Sequence, residues 1–432
     1  MANTYLSKTM SGGSATTTKF TISVWVKRAG LNDDTIVSCS NDYCYLGFQG
    51  GNKLFLELHD VDNVRLRTNA LFRDTNAWYH IVASYDSTQS TASDRMKLYV
   101  NGEQITSFNV ANYPSQNYGA GFGGNLQHSV GRREIDDTDY FSGSISHLHL
   151  CAGYTYDASA FGETDATTGE WKINTSPSVT YGNNGFFILK DGNSVTDQSG
   201  NSNNFTVSGG TLTKTEDCPS NVFSTMNSLD NFYPSATFSN GNNTVVTNAT
   251  AICPITGTLG MTSGKYYWEV KAASHTLSDS WYTIGITGRQ TTELNQELGN
   301  YAYQYGYMGE DGTVRNNSSN IATLSTYTAG DIIGIALDLD NNLIYFYKNG
   351  AVQNSGTGLA VSSAASTDLG AYFPAVADWS SQATFTFQTN FGNGYFGTTA
   401  VSSAGTNASN NGIFEYDVPT GYTALSTKGL NL

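Results

Sequence analysis

The sequence predicts an all-β protein, built as two tandem antiparallel β-sandwiches with a polar connector. Apolar and polar residues alternate along much of the chain, as in residues 20–26, 96–100 and 332–339, and this alternation is the pattern of half-buried strands. Clusters of Gly, Asn, Asp and Ser separate such runs at intervals of about 8–15 residues. No segment has the sustained periodicity of an amphipathic helix, so we expect no helix.

The composition narrows the class of protein. A chain of 432 residues is long enough for two or three domains. Charged residues are 13% of the chain against about 25% on average, whereas 27 Tyr, 21 Phe and 6 Trp are too many for a disordered chain. The polarity comes from hydroxyl and amide groups, as is common in exposed β-sandwiches.

The charge argues against nucleic acid and membrane as partners. The formal net charge is −15, and the densest basic cluster is the pair Arg132-Arg133. Binding to a phosphate backbone needs many clustered cations, which this chain lacks. No run approaches the roughly 18 apolar residues of a membrane-spanning helix, so we expect no membrane insertion.

The cysteines and the first residues suggest a reducing compartment. Five cysteines are an odd number and form no CxxC pair; they are Cys39, Cys44, Cys151, Cys218 and Cys253. Neither a zinc site nor a full disulfide framework follows from this pattern. The N-terminus has no basic region followed by an apolar one, so we expect no secretory signal and reduced thiols. No cofactor is predicted.

Two aromatic strands end in Asn-Gly, at Asn101-Gly102 and Asn349-Gly350. This dipeptide supplies positive φ at both central positions of a type I′ hairpin turn. Composition then sets the expected boundaries: a sandwich over 1–163, a Thr/Ser/Asn-rich connector over 164–230 that partly docks on it, a second sandwich over 231–397, and a tail over 398–432 with a final strand. We expect the tail to fold back on the second sandwich, because Tyr416, Tyr422 and Leu425 need cover.

Both halves resemble known domain families. Residues 20–28 (FTISVWVKR), 78–86 (WYHIVASYD) and 96–102 (MKLYVNG) resemble the laminin-G-like, concanavalin-A-like jelly roll. Residues 263–270 (SGKYYWEV), 330–338 (GDIIGIALD), 344–350 (IYFYKNG) and 372–376 (YFPAV) resemble a SPRY domain. The two resemblances imply two binding domains in tandem.

The connector phrases are similar to virion structural proteins of tailed bacteriophages. They lie at residues 159–165, 198–205 and 227–231, between the two domains. This resemblance implies a place on the virion surface, with assembly in the host cytoplasm without a signal peptide. It also implies other virion proteins as partners, copies of this chain among them.

One segment invites an enzymatic interpretation. Glu134, Asp136 and Asp139 approximate the carboxylate spacing of jelly-roll glycoside hydrolases, in which retaining chemistry needs two carboxyls about 5–5.5 Å apart. The last position is one methylene shorter than Glu, and the segment looks like a polar loop, so we expect a solvated loop and no catalysis. A rim calcium ion could use Asp136, Asp137 and Asp139, or Asp60, Asp62 and Asn63, but neither group has the spacing of a dedicated site.

The histidines and aromatics complete the candidate sites. His80, His147 and His149 lie in strands and are interpreted as structural. Aromatic rings beside amides and carboxylates suit the faces of sugars or a protein hot spot. The ligand-binding candidates are all in the second half: Trp281, Tyr303, Tyr305, Tyr307, Asn316, Asp378 and Trp379. Alternating tyrosines can equally be core residues.

The sequence therefore favours a non-enzymatic virion surface protein that binds host-surface glycans or other surface components. The alternative is a capsid decoration or fibre protein that binds only neighbouring virion proteins. A glycoside hydrolase is a distant third.

Overall fold

A computed structural model gives the fold. It describes residues 3–40, 43–59, 62–167, 169–190, 194–230, 236–252, 254–290, 292, 295–380 and 382–431. The chain divides into two compact units, Met1–Lys214 and Thr215–Leu432, and the described residues are nearly all β. None of the helices in these ranges is both long and apolar enough to cross a membrane.

The first unit contains strands β1 to β16. Their bounds are Tyr5–Thr9, Lys19–Arg28, Asp34–Cys39, Cys44–Gln49, Lys53–His59, Val64–Leu71, Trp78–Asp86, Met96–Val100, Glu103–Gln104, Phe108–Asn112, Gln127–Val130, Gly143–Ala152, Gly162–Thr164, Trp171–Ile173, Phe186–Ile188 and Thr206–Ser208. Within the described ranges, one sheet has eight strands in the order β10-β6-β5-β4-β3-β11-β1-β16, and a second has six in the order β15-β12-β2-β7-β8-β9. Two 3-10 turns, Ala92–Asp94 and Ala158–Ala160, lie between strands.

The core of this unit lies between its two sheets. It takes one set of alternating residues from each central strand, including Phe20, Ile22 and Val24 of β2. The alternation predicted a half-buried β2, but the strand is buried on both faces. A segment over residues 154–181, which includes the β13–β14 hairpin, covers the second face: its Trp171 ring stacks on His80, which in turn stacks on Trp25.

Residues of the predicted connector, 164–230, are divided between the two units. Phe186–Ile188 is an edge strand of the six-stranded sheet, and Thr206–Ser208 pairs with β1, so residues up to Lys214 belong to the first unit. Phe223 and Met226 are buried in the core of the second unit. A few apolar residues thus anchor this polar stretch in both units.

The second unit contains strands β17 to β33. Their bounds are Thr237–Ser239, Thr244–Val246, Ile255–Thr256, Lys265–His275, Tyr282–Thr287, Gln304–Met308, Thr313–Asn316, Ser319–Thr323, Ile332–Asp338, Leu343–Lys348, Ala351–Val352, Leu359–Ala360, Phe373–Asp378, Phe385–Asn390, Tyr395–Phe396, Thr399–Ala400 and Thr423–Ala424. The described strands form a first sheet in the order β17-β18-β30-β20-β25-β26-β27, with β28 beside β26 and β33 beside β20. The second sheet has the order β19-β29-β21-β22-β23-β24. Two 3-10 turns lie at Asn354–Gly356 and Ala364–Ser366.

The turn chemistry follows the prediction. Asn101 and Gly102 have φ of 48° and 85°, and Asn349 and Gly350 have φ of 49° and 80°, as a type I′ turn requires. The expectation of no helix was wrong in one place: Thr427–Leu430 is a single α-helical turn. The hydroxyl of Ser426 caps it by accepting a hydrogen bond from the Gly429 backbone N–H at 3.1 Å, and one turn is too short to show periodicity in a sequence.

The tail folds back on the second sandwich, as predicted. β33 pairs in parallel with β20, and Phe414 and Leu425 are 1% and 0% exposed. The buried carboxylate of Glu269 holds the tail: its oxygens accept the backbone N–H groups of Glu415 and Tyr416, each at 2.9 Å. Burial raises the pKa of Glu269 to about 7, against the opposing effect of these hydrogen bonds.

We predict that Leu425→Ala destabilises the protein by about 2–5 kcal/mol, the usual cost of a large-to-small change in a core. Lys428→Ala, three residues on and exposed, serves as the control and should change the stability by less than about 0.5 kcal/mol. Chemical denaturation of the full chain measures both. Equal stability of the two variants would contradict this account of the tail.

Candidate functional site

Trp281 and Trp379 lie side by side at one end of the second sheet of the second unit. Trp281 immediately precedes β21 and Trp379 immediately follows β29, and these strands pair with Tyr282 opposite Asp378. The Trp379 backbone N–H donates to the Trp281 carbonyl at 3.0 Å. The two ring centroids are 6.3 Å apart, and both side chains are partly exposed.

A cation extends this aromatic pair. The Arg315 guanidinium lies 4.0 Å from the centroid of the Trp379 ring, within the range of a cation–π interaction. Its Nη1 is 3.5 Å from the carboxylate of Glu297. Burial raises the pKa of Glu297, and Arg315 opposes the shift. We call Trp281, Trp379, Arg315 and Glu297 the tryptophan site.

Small residues beneath Arg315 let it reach across the sheet. Gly306 pairs with Arg315 on one side and with Gly285 on the other. A Cβ at Gly306 would meet the Leu298 carbonyl oxygen at 2.4 Å, so a larger residue would displace the loop that carries Glu297.

Asp378 is buried beside the tryptophan site. Its side chain is 1% exposed, and neither carboxylate oxygen accepts a hydrogen bond of normal geometry within the described residues. Burial raises the pKa of Asp378 to about 7, an effect that the nearby Thr247 hydroxyl and Ser380 backbone N–H partly oppose. Successive side chains of a strand point to opposite faces, so Asp378 lies inside the sandwich whereas Trp379 lies on its outer side.

Three other predicted residues are not part of the tryptophan site. The side chains of Tyr305 and Tyr307 are 4% and 0% exposed and belong to the core, so in this structure they are inaccessible to a ligand. Tyr303 lies beyond the opposite end of β21, where its carbonyl accepts the Gly288 N–H at 2.7 Å, and a six-residue strand spans ~20 Å.

Asn316 is likewise engaged elsewhere. Its side-chain amide donates to the Gln304 carbonyl at 2.9 Å, near the Tyr303 end of the sheet. Sequence reasoning thus found the two tryptophans but missed Arg315 and Glu297. The available signal for Arg315 was a charged residue inside an otherwise uncharged strand, Thr313–Asn316.

The carboxylates of the hydrolase-like segment are held by arginines. Glu134 lies 2.8 Å from Arg132, and Asp136 and Asp139 lie 2.7 and 2.5 Å from Arg133. The segment is a loop between β11 and β12, as predicted. The hydrogen bonds from Arg133 lower the pKa of Asp136.

The calcium candidates and the histidines have structural partners. Asp62 accepts a hydrogen bond from the Tyr118 hydroxyl at 3.1 Å, and Asp60 lies outside the described residues. No group of three or more His, Cys, Asp or Glu within the described ranges is arranged to hold a metal ion. His80 accepts from Trp171 Nε1 at 2.9 Å, and burial lowers its pKa to about 3. His147 and His149 both pack on Phe187.

Four of the described cysteines are reduced thiols, as predicted. Cys39, Cys44 and Cys151 are buried and Cys218 is partly exposed, and burial raises the pKa of Cys151 to about 12. The fifth, Cys253, lies outside the described residues.

Comparison with known families agrees with the two sandwiches. Residues 2–154 match the concanavalin A-like lectin/glucanases superfamily, and residues 265–390 match the SPRY domain. The first match lies in the first unit and the second match in the second unit, in the order that the sequence resemblances imply. Domains of these two kinds are typically non-catalytic binding domains.

Individual relatives are similar to this chain over short segments. A Ran-binding proteins 9/10 homolog of Drosophila melanogaster is 36% identical over 88 residues, and human Ran-binding protein 9 is 35% identical over 88 residues. Each match covers 20% of this chain and only 9% or 12% of the relative, so the chain matches a small part of those proteins.

Solved structures are more distant. The SPRY domain of human HERC1 is 20% identical with a TM-score of 0.30, covering 36% of this chain and 92% of that domain. A candidate carbohydrate-binding protein from Bacteroides ovatus is 17% identical with a TM-score of 0.32, covering 49% of this chain and 58% of that one. At this level of similarity they do not indicate a ligand for this chain.

The buried carboxylate beside the tryptophan site generates a pH prediction. The pKa of Asp378 is about 7 in the folded chain against 3.8 ordinarily, so the folded state binds a proton that the unfolded state releases. Its favourable contribution is complete below pH 3.8 and is lost as the pH rises through 7. Because this loss begins above pH 3.8 and is complete only above pH 7, Asp378→Asn should raise the melting temperature more at pH 8 than at pH 5.

Thermal unfolding of wild type and variant at both pH values tests this. Asp368→Asn, at an exposed position of the same unit, controls for the loss of a negative charge. A lower melting temperature of Asp378→Asn at pH 8 would show that the carboxylate is stabilised by partners in its ionised form.

Proposed function

We propose that this chain is a non-enzymatic binding protein of a tailed-phage virion surface that attaches to glycans of the host cell. The observation that carries the binding role is the tryptophan site: two partly exposed indole rings 6.3 Å apart, with a guanidinium over one of them. Adjacent aromatic faces bind the C–H faces of sugars, and their rigidity keeps the entropic cost low. The lectin-superfamily match concerns the first unit and supports a glycan as a ligand of the chain as a whole.

The virion location rests on the connector phrases and on the order of the two domains, which resemble virion structural proteins of tailed phages. Assembly in the host cytoplasm is consistent with reduced thiols at the described cysteines. Mass spectrometry of purified particles tests the location.

A protein ligand is the second candidate for the same site. Trp and Arg are enriched at protein–protein hot spots, and the SPRY unit has sequence relatives that are named as Ran-binding proteins. A capsid decoration or fibre protein would use the site to hold a neighbouring virion protein.

We predict that replacing both tryptophans, Trp281→Ala with Trp379→Ala, weakens glycan binding at least about tenfold. Truncating one hot-spot residue costs more than about 1 kcal/mol of binding free energy, and this variant truncates two such residues. An array of bacterial surface polysaccharides probed with the full chain identifies the glycans bound, and titration with the best of them gives the affinities.

The matched control replaces two exposed apolar residues of the same unit, Val352→Ala with Leu369→Ala, which are 43% and 42% exposed. This control should bind within about twofold of wild type. Unchanged binding by the double tryptophan variant would remove the tryptophan site as the glycan site. Capture of virion proteins in place of glycans would favour the protein-binding candidate.

A further inference from the structure

The outer face of the eight-stranded sheet carries aromatic rings beneath guanidinium groups. Phe55 and Tyr45 lie on the face turned away from the core and have ring centroids 5.4 Å apart, yet they are 0% and 2% exposed. Arginine side chains help to cover them: Arg67 lies 4.9 Å from the centroid of Phe55, and Arg133 lies 5.5 Å from that of Tyr45.

Most arginines of this face are neutralised by carboxylates. Arg132 pairs with Glu134 and Asp137, Arg133 pairs with Asp136 and Asp139, and Arg65 lies 3.3 Å from Glu57. These ion pairs hold the 133–139 loop and the strands together, and they leave no net positive charge for a ligand.

Arg67 is different. It lies opposite Phe55 in the β5–β6 pairing, and its Nε, like those of Arg65 and Arg132, is buried without a hydrogen-bond acceptor. Within the described part of the chain its guanidinium forms neither a hydrogen bond nor an ion pair, and stacking on Phe55 alone fixes it. A partly buried cation without an anion is costly, and in a chain of net charge −15 acidic residues are plentiful.

The surroundings of Arg67 are open to a ligand. The β4–β5 turn begins with Gly50 and Gly51, which have no side chains, and Arg67 Nη1 lies 3.5 Å from where a Cβ of Gly50 would be. Gly51 has open space around its Cβ position. Lys53 and Gln49 pair across this hairpin, and their side chains alternate onto the same face as Phe55.

We propose that Arg67, held flat over Phe55, binds a carboxylate of an acidic glycan on the outer sheet face of the lectin-like unit. A planar guanidinium matches a carboxylate with two parallel hydrogen bonds, and prior stacking lowers the entropic cost of fixing it. Lys53 adds a second positive charge. The Gln49 Nε2 already donates to Asp139 Oδ2 at 3.5 Å, so Gln49 would accept from a sugar hydroxyl through its amide oxygen. The proposal goes beyond the proposed function, because it concerns the other unit and a charged class of sugar.

Isothermal titration of the full chain with oligogalacturonate tests this. We expect measurable binding that weakens as NaCl rises from 50 to 300 mM, and at least about tenfold weaker binding of the methyl-esterified oligomer, which has lost its charges. Arg67→Gln should lose about tenfold in affinity. Arg73→Gln, an exposed arginine of the same unit, removes the same charge and should bind within about twofold of wild type.

Several outcomes would overturn the proposal. These are the absence of oligogalacturonate binding by the wild type, equal losses in Arg67→Gln and Arg73→Gln, and equal binding of the esterified oligomer. Tighter binding of dextran sulfate would exclude a carboxylate as the preferred group, and tighter binding of poly-L-glutamate would exclude a glycan. A melting temperature of Arg67→Gln equal to that of wild type confirms that the variant folds.

The double tryptophan variant distinguishes the two proposals. It should keep its affinity for oligogalacturonate and lose its affinity for the glycan bound at the tryptophan site, since the two sites lie in different units. Loss of oligogalacturonate binding in that variant, with Arg67 intact, would place the acidic glycan at the tryptophan site and overturn the proposal for Arg67.

Discussion

Central strands in both units carry apolar side chains on both faces, and both faces must therefore be shielded from water. Much of the remaining chain packs on the outer face of these strands. In the first unit, β2 sends Phe20, Ile22 and Val24 into the core and Trp25 to the opposite face. An indole left in water would forfeit roughly 1.5–3 kcal/mol of burial free energy. The 154–181 segment therefore crosses that face, and its Trp171 completes a stack with His80 and Trp25.

The second unit meets the same constraint with the C-terminal tail. Tyr267 and Glu269 of β20 alternate onto the face away from the main core, and the tail lays Phe414 against Tyr267, with ring centroids 5.1 Å apart. The carboxylate of Glu269 then serves as acceptor for tail backbone N–H groups that would otherwise be buried without a partner. In both units, segments that look like linkers in composition are part of the sandwich.

The sequence predicted features that depend on neighbouring residues, such as strands and hairpin turns. It did not predict contacts between residues that are far apart in the chain. Alternation located the strands, and Asn-Gly located two hairpins, because both signals depend on residues close together in the chain. Alternation also placed Tyr305 and Tyr307 on one face of a strand but could not say which face, and the sheet turns that face to the core. The contact of Arg315 with Trp379 joins residues 64 positions apart, and only the order of strands in the sheet brings them together.

The arginines of this chain differ in whether their positive charge is already paired within the fold. Arg28 is fully buried, and its guanidinium donates to Asp34, Asn32, Asn52 and Phe72. Its charge is therefore paired inside the fold and cannot bind a ligand. Arg315 lies over an exposed ring but is close to Glu297, so the tryptophan site presents an aromatic surface with little net charge.

Arg67 has the ring without the carboxylate. The tryptophan site suits neutral sugars or a protein, because its cation is already paired with Glu297 and neither attracts nor repels a charged ligand strongly. The surface around Arg67 favours an anionic ligand, because the described residues give this guanidinium no carboxylate partner. The two units would thus select ligands of different charge, which gives a tandem protein two independent requirements for attachment to one surface.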